Sequence, residues 1–100
     1  MNKFHTFNID NKYLKLIKSG EKRSEVRRYY LPVEGQRIGL INNDTDKIEL
    51  VIKIGMILDL SLLEQEELDI VLDEAKVDSE FRKFYPCKYL YQITEIETVH

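Results

Sequence analysis

The sequence predicts an α+β domain: a small, mostly antiparallel β-barrel with helices plugging its ends. Three observations carry this. Segments with strand character outnumber helical ones, in the order β-α-β-β-β-α-α-β. Consecutive strands are joined by tight turns, where an open α/β sheet would need crossover helices. The 100-residue length is that of one domain, so residues 1–100 are read as a single unit.

The elements follow in order. Phe4 to Ile9 reads as a short first strand. Asp10 is placed to cap a helix whose apolar stripe is Tyr13, Leu14 and Ile17, with Leu16 beside it. Gly20 after Ser19 ends that helix, because glycine tolerates positive φ. Lys22 to Tyr30 reads as a strand, and Pro32 and Gly35 bracket a turn. Arg37 to Asn42 is the next strand, and Asn43-Asp44-Thr45-Asp46 has the chemistry of a hairpin turn. Lys47 to Leu58 has the clearest alternation, with Ile48, Leu50, Ile52 and Ile54 on one face, and Gly55 marks a bulge or a bend. Ser61-Leu62-Leu63-Glu64 has capping-box spacing and starts an acidic helix to about Asp73, with Leu68, Ile70, Val71 and Leu72 expected to face the core. Asp78 is placed to cap a short helix through Phe84, with Phe81 and Phe84 inward, and Pro86 stops it. Tyr89 to Val99 is the last strand, and its alternation slips near Thr94.

Composition bounds the function classes. Hydrophobic residues make up 43% and charged residues 33%, as in an ordinary globular chain. The only cysteine, Cys87, has no disulfide partner, which points to a reducing, cytoplasmic compartment. The N-terminus lacks an apolar h-region, so no signal peptide is expected, and no stretch is apolar enough to span a membrane. A net charge of −3 argues against coating nucleic acid by bulk electrostatics. The charge is unevenly spread: Met1 to Leu58 holds eleven basic and seven acidic side chains, and Asp59 to Arg82 two and nine. Phosphate contact is therefore expected from the N-terminal half. The acidic segment should face away from it, or shape specificity by repulsion.

The densest positive stretch runs from Lys18 to Arg28, with five cations and two carboxylates. Strand periodicity puts Arg23, Glu25 and Arg27 on one face and Ser24, Val26 and Arg28 on the other. A glutamate flanked by arginines is either a surface ladder or a pocket wall. In a pocket, arginine offers a planar fork to phosphate or a base edge, and the carboxylate accepts from exocyclic amines. Lys22 either holds an anion or pairs with Glu25, or it acts as a general base if burial lowers its pKa. Arg23 either extends a phosphate contact or is merely exposed. Tyr29 and Tyr30 could stack on a base or pack on the barrel, and Tyr85, Tyr89 and Tyr91 leave the same choice open. His5, His100 and Cys87 have no zinc-site spacing, and neither a phosphate loop nor a serine-hydrolase elbow occurs, so no metal or cofactor is expected.

The run Leu16 to Arg27 contains Gly20-x-Lys22-x-x-Glu25-x-Arg27 after a helix, and resembles the signature of ASCH domains, a PUA-like family. Val33-Glu34-Gly35-Gln36-Arg37-Ile38 is similar to the family's second hallmark, with Gln36 in place of its usual aspartate. Phe84-Tyr85-Pro86 before a tyrosine-rich strand is also similar. The resemblance implies a PUA-like barrel with a cleft lined by the first motif, and a ligand that is RNA, a nucleotide or a nucleoside. It implies ligand contacts at the motif positions Lys22, Glu25 and Arg27; Arg23, which stands where the family commonly has a small residue, and Tyr29, just past the motif, are the further candidate contacts. Some small bacterial members hydrolyse acetylcytidine with a lysine, a threonine and a downstream glutamate. The positions similar to these are Lys22, Glu25 and Glu74, with a carboxylate where the hydroxyl would stand.

Three functions follow as expectations. The first is an RNA- or nucleotide-binding module, acting as a monomer. The second is an amidohydrolase acting on a modified nucleoside, with Lys22, Glu25 and Glu74 catalytic. The third is a protein-interaction module presenting the acidic helix.

Overall fold

The structure, a computed structural model, describes residues 4–99. Its elements are β1 (Thr6–Ile9), α1 (Asn11–Lys18), β2 (Ser24–Arg27), β3 (Arg37–Asn42), β4 (Lys47–Asp59), α2 (Gln65–Glu74), α3 (Ser79–Phe84) and β5 (Tyr89–Thr98), with a 3-10 turn at Leu60–Leu62 before α2. The expected order is therefore present. The strands make one curled sheet in the order β1-β3-β4-β5-β2. Three pairings are antiparallel, and β1 lies parallel to β3, reached through α1 and β2. The sheet is a half-barrel: its edge strands β1 and β2 do not pair with each other.

Two apolar clusters hold the sheet. One gathers Phe7, Leu14, Ile17, Ile38, Leu40, Leu50, Ile52, Ile54 and Tyr91 between the concave face and α1. The other gathers Val26, Leu60, Leu72, Ala75 and Val77 where α2 covers β2 and the end of β4. In α2, Leu68, Val71, Leu72 and Ala75 recur at i, i+3, i+4 and i+7 and share the inner face. Ile70 is not core: it is 60% exposed, because two residues on from Leu68 a helix has turned to its far side. Phe84 is also exposed, at 86%, since the six-residue α3 turns only Phe81 inward.

Two irregularities in the long β4–β5 ladder have sequence causes. The β4–β5 register steps from Lys53 opposite Glu95 to Ile54 opposite Ile93, so Thr94 is the extra residue that makes the alternation slip. A second step, between Ile54 and Ile57, falls at Gly55. A side chain there would collide with Gln92 Oε1, which accepts from Met56 N at 3.0 Å. The capping box sits one turn later than expected. Glu64 caps α2 and its backbone N–H donates to Glu67, while the Ser61 hydroxyl and N–H both donate to Asp59 at the 3-10 turn.

Candidate functional site

Few polar side chains are buried among the described residues: Lys22, Glu25 and Asn42. Asn42 serves its own hairpin turn, accepting from Asp44 N and donating to Asn11. The other two belong to the Gly20–Arg27 segment, and the local backbone explains why. α1 ends at Ser19, Gly20 takes φ 82°, and Lys22 N donates back to Leu16 O. This reversal carries Lys22 under α2 before β2 begins at Ser24.

The Lys22 ammonium donates to the carbonyl of Ala75, the C-cap of α2, where the helix dipole favours a cation. It lies 3.9 Å from Glu25 Oε1 and 5.3 Å from the centre of the Tyr13 ring. Burial pushes the Lys22 pKa below the usual lysine value, and the Glu25 carboxylate opposes that shift. Glu25 Oε1 accepts from Val26 N at 3.1 Å, and Oε2 accepts from Arg27 Nη2 at 3.3 Å. Arg27 Nη2 also donates to Asn8 O at 2.6 Å, so this side chain spans the seam between the unpaired edges β2 and β1. Its guanidinium carbon sits 4.5 Å from the centre of Phe7. Its Nε is the buried side-chain polar atom left without a partner among the described residues.

These three side chains line a cavity of about 180 Å³. Asn8, Asp10 and Asn43 form one wall, with Asn43 donating to Asp10 at 2.8 Å. Tyr13, Phe81 and Tyr85 form the other. Tyr13 meets Phe81 edge-on at 6.0 Å, and Phe81 stacks on Tyr85 at 4.7 Å. The Tyr13 hydroxyl donates to Asp78 Oδ2 at 3.1 Å, and burial together with that bond pushes its pKa up to about 12. Asp78 also accepts from Lys12, which holds its carboxyl below the usual range. Asp10 and Asp78 both occupy the N-cap positions expected for them, yet neither side chain caps its helix; Asp10 lines the cavity, and Asp78 instead holds Tyr13 and Lys12 from behind the cavity wall.

Lys22, Glu25 and Arg27 thus converge. Arg23, Glu74 and Tyr29 do not join them. Arg23 precedes β2, so strand periodicity does not govern it; it is exposed and donates to Gly20 O at 3.4 Å. Arg23 and Glu74 line a separate recess behind β2, where Ser24 also points. Tyr29 is 65% exposed beyond the end of β2. Tyr85, one of the tyrosines left open between stacking and packing, lines the cavity, whereas Val77 and Phe81 are not among the expected site residues; they bring part of the acidic segment to the cavity, so that segment does not face away as a whole. Only the fold brings α3 to this seam; no sequence signal marks it.

A family model described as ASCH domain matches residues 7–100. Among solved structures, an ASCH protein from Zymomonas mobilis is similar. Its tyrosine-to-phenylalanine variant superposes with a TM-score of 0.75 at 18% identity, over 99% of this chain and 74% of that one. The crystal structure described simply as ASCH gives 0.69 at 18%, and a serine-to-alanine variant gives 0.67 at 19%; each covers 90% of this chain and 66% of the other. No curated protein matches the sequence. No helix among the described residues is long and apolar enough to cross a membrane.

Proposed function

This chain belongs to the ASCH domain family, and from that premise we propose that it binds RNA or a nucleotide by taking one base into the cleft at the β1–β2 seam. The observation that carries the reading is the convergence of buried Lys22 and Glu25 with Arg27 on one cavity. Burying two charged groups in a small domain is costly unless they are paired, and side chains placed only for solubility would face water. The lining is balanced in charge, with Lys22 and Arg27 against Glu25 and Asp10, which suits a neutral polar ring better than a phosphate. A volume of about 180 Å³ is below the roughly 300–1,000 Å³ of sites for drug-sized ligands, and points the same way. Each Glu25 oxygen already accepts one hydrogen bond and keeps a second lone pair for an exocyclic amine. The aromatic wall offers the ring a face.

The test is a thermal-shift and calorimetric series over nucleosides, nucleoside monophosphates and short RNAs. A true ligand raises the melting temperature by mass action. Glu25→Gln and Arg27→Ala should each weaken that ligand while the folded spectrum is kept. Absence of any shift at millimolar ligand would overturn the reading.

A second reading, an amidohydrolase acting on acetylcytidine, draws on one observation: a lysine with a depressed pKa 3.9 Å from a carboxylate is equipped to move a proton. Water would add to the acetyl carbon, and acetate and cytidine would leave. Glu74 lies outside the cleft, so Lys22 and Glu25 would carry the chemistry. Purified protein should release cytidine and Lys22→Ala should stop it; no turnover at high enzyme concentration removes this reading.

A further inference from the structure

Beyond the cavity, the same end of the sheet carries aromatic and cationic groups that the fold does not use. Tyr29 and Tyr30 are 65% and 52% exposed. Their backbone is nevertheless fixed from within. The buried Tyr91 hydroxyl donates to Tyr29 O at 2.6 Å and accepts from Leu31 N at 2.9 Å. A core residue thus holds a loop that points two tyrosines outward. The Arg28 guanidinium stacks 4.7 Å from the Tyr29 ring centre, and Tyr30 leans on Tyr89 at 5.6 Å. Among the described residues neither Arg28 nor the exposed Lys88 lies within ion-pair distance of a carboxylate. The patch is continuous with the cavity: Tyr85, which lines it, accepts from Arg28 N at 3.1 Å, and Lys88 N donates to Arg27 O at 3.2 Å.

We propose that Arg28, Tyr29, Tyr30 and Lys88 form a platform for the nucleotides flanking the base in the cleft, so that the ligand is a single-stranded nucleic-acid segment longer than one nucleotide. The inference rests on the cleft reading and extends it. Exposed rings stack on any base with little sequence preference, and unpaired cations beside them suit the intervening phosphates. An apolar protein partner would leave those cations buried and unmatched.

The experiment compares a nucleoside monophosphate with tri- and pentanucleotides of single-stranded RNA and DNA, on the whole chain. A trinucleotide should bind at least about tenfold more tightly than the monophosphate, the lower range of one base–aromatic stack. Tyr29→Ala with Tyr30→Ala should remove that gain and leave monophosphate affinity unchanged. Arg28→Ala should lower the salt slope by about one. If the double variant unfolds more readily through loss of the Tyr30–Tyr89 contact, Tyr29→Ala alone carries the test. Equal affinity for monophosphate and oligonucleotide overturns the platform, as does an equal loss of both in the variants. So does self-association that the tyrosine variants abolish, which would make the patch a contact between copies. Tyrosine-dependent oligonucleotide binding without monophosphate binding would uphold the platform and remove the cleft reading.

Discussion

Tyr91→Phe should destabilise the domain by about 2–3 kcal/mol although it removes a single oxygen. The ring stays where it is, fully buried and edge-on to Phe7 at 5.1 Å, so the apolar contacts are kept. What goes is a hydroxyl with two partners, Tyr29 O at 2.6 Å and Leu31 N at 2.9 Å, both in part-buried positions. Each hydrogen bond contributes about 1 kcal/mol net, and a backbone group stranded away from water costs roughly 1–3 kcal/mol more than one that finds water. Partial rehydration of the loop limits the sum to the figure given. For a domain of this size about 1 kcal/mol lowers the melting temperature by roughly 4–8 °C, so a fall on the order of 10–20 °C is expected. Urea unfolding followed by circular dichroism measures it directly, with an unchanged slope showing that the unfolded state is the same. A loss under about 0.5 kcal/mol would mean that water replaces the hydroxyl without cost, and the claim that the core positions the Tyr29–Leu31 loop would fall.

Four further outcomes are expected. Between about pH 10 and pH 12, Tyr13 keeps its proton in the folded state and loses it when unfolded, so wild-type stability should fall across that window. Tyr13→Phe should flatten that limb of the stability curve; an identical slope would show that Tyr13 does not titrate there. Lys22 has the opposite sign: its folded pKa lies below its unfolded value, so the stability of wild type relative to Lys22→Met should rise as pH climbs toward 10.5, and a difference independent of pH refutes this. Gly55→Ala should cost about 1–2 kcal/mol by displacing Gln92 from Met56 N, seen as a lower urea midpoint. Leu72→Ala should cost roughly 2–5 kcal/mol and Ile70→Lys within about 0.5, and equal costs would mean that α2 presents a different face to the sheet.

Local patterning made most of the architecture readable. Alternation in Lys47 to Leu58, the stripe Leu14–Ile17 and the turn Asn43–Asp46 each specify their own element, and each lies where it was expected. The slip near Thr94 was visible as a broken period and is a bulge. Errors arose where packing outranks pattern. Apolar residues at Ile70 and Phe84 look like core in a linear reading, but the helices that carry them have one covered face. The parallel pairing of β1 with β3 also lies beyond local sequence, since nothing in Phe4 to Ile9 states which strand it will join. In the candidate site, the motif named Lys22, Glu25 and Arg27, yet strand periodicity alone would have chosen Arg23 over Lys22. The reversal at Gly20 delays β2 to Ser24 and decides between them.

The site and the incompleteness of the barrel have one cause. A closed sheet would satisfy the outer edges of β1 and β2 with ladder hydrogen bonds, leaving no gap between them. Here the edges stay apart, and Arg27 reaches across to the Asn8 carbonyl as a substitute for one rung. A side chain can do this only if its charge is balanced nearby, which Glu25 provides, and Glu25 in turn is tolerated because Lys22 is held against it by the end of α2. The three residues therefore form a chain of mutual dependence that starts from an unpaired strand edge. Arg27→Lys keeps the charge but cannot offer one nitrogen to Asn8 and Glu25 while stacking its plane on Phe7. It should lower both stability and ligand affinity, where a residue serving the ligand alone would lower affinity only; unchanged urea unfolding in Arg27→Lys would separate the seam from the site.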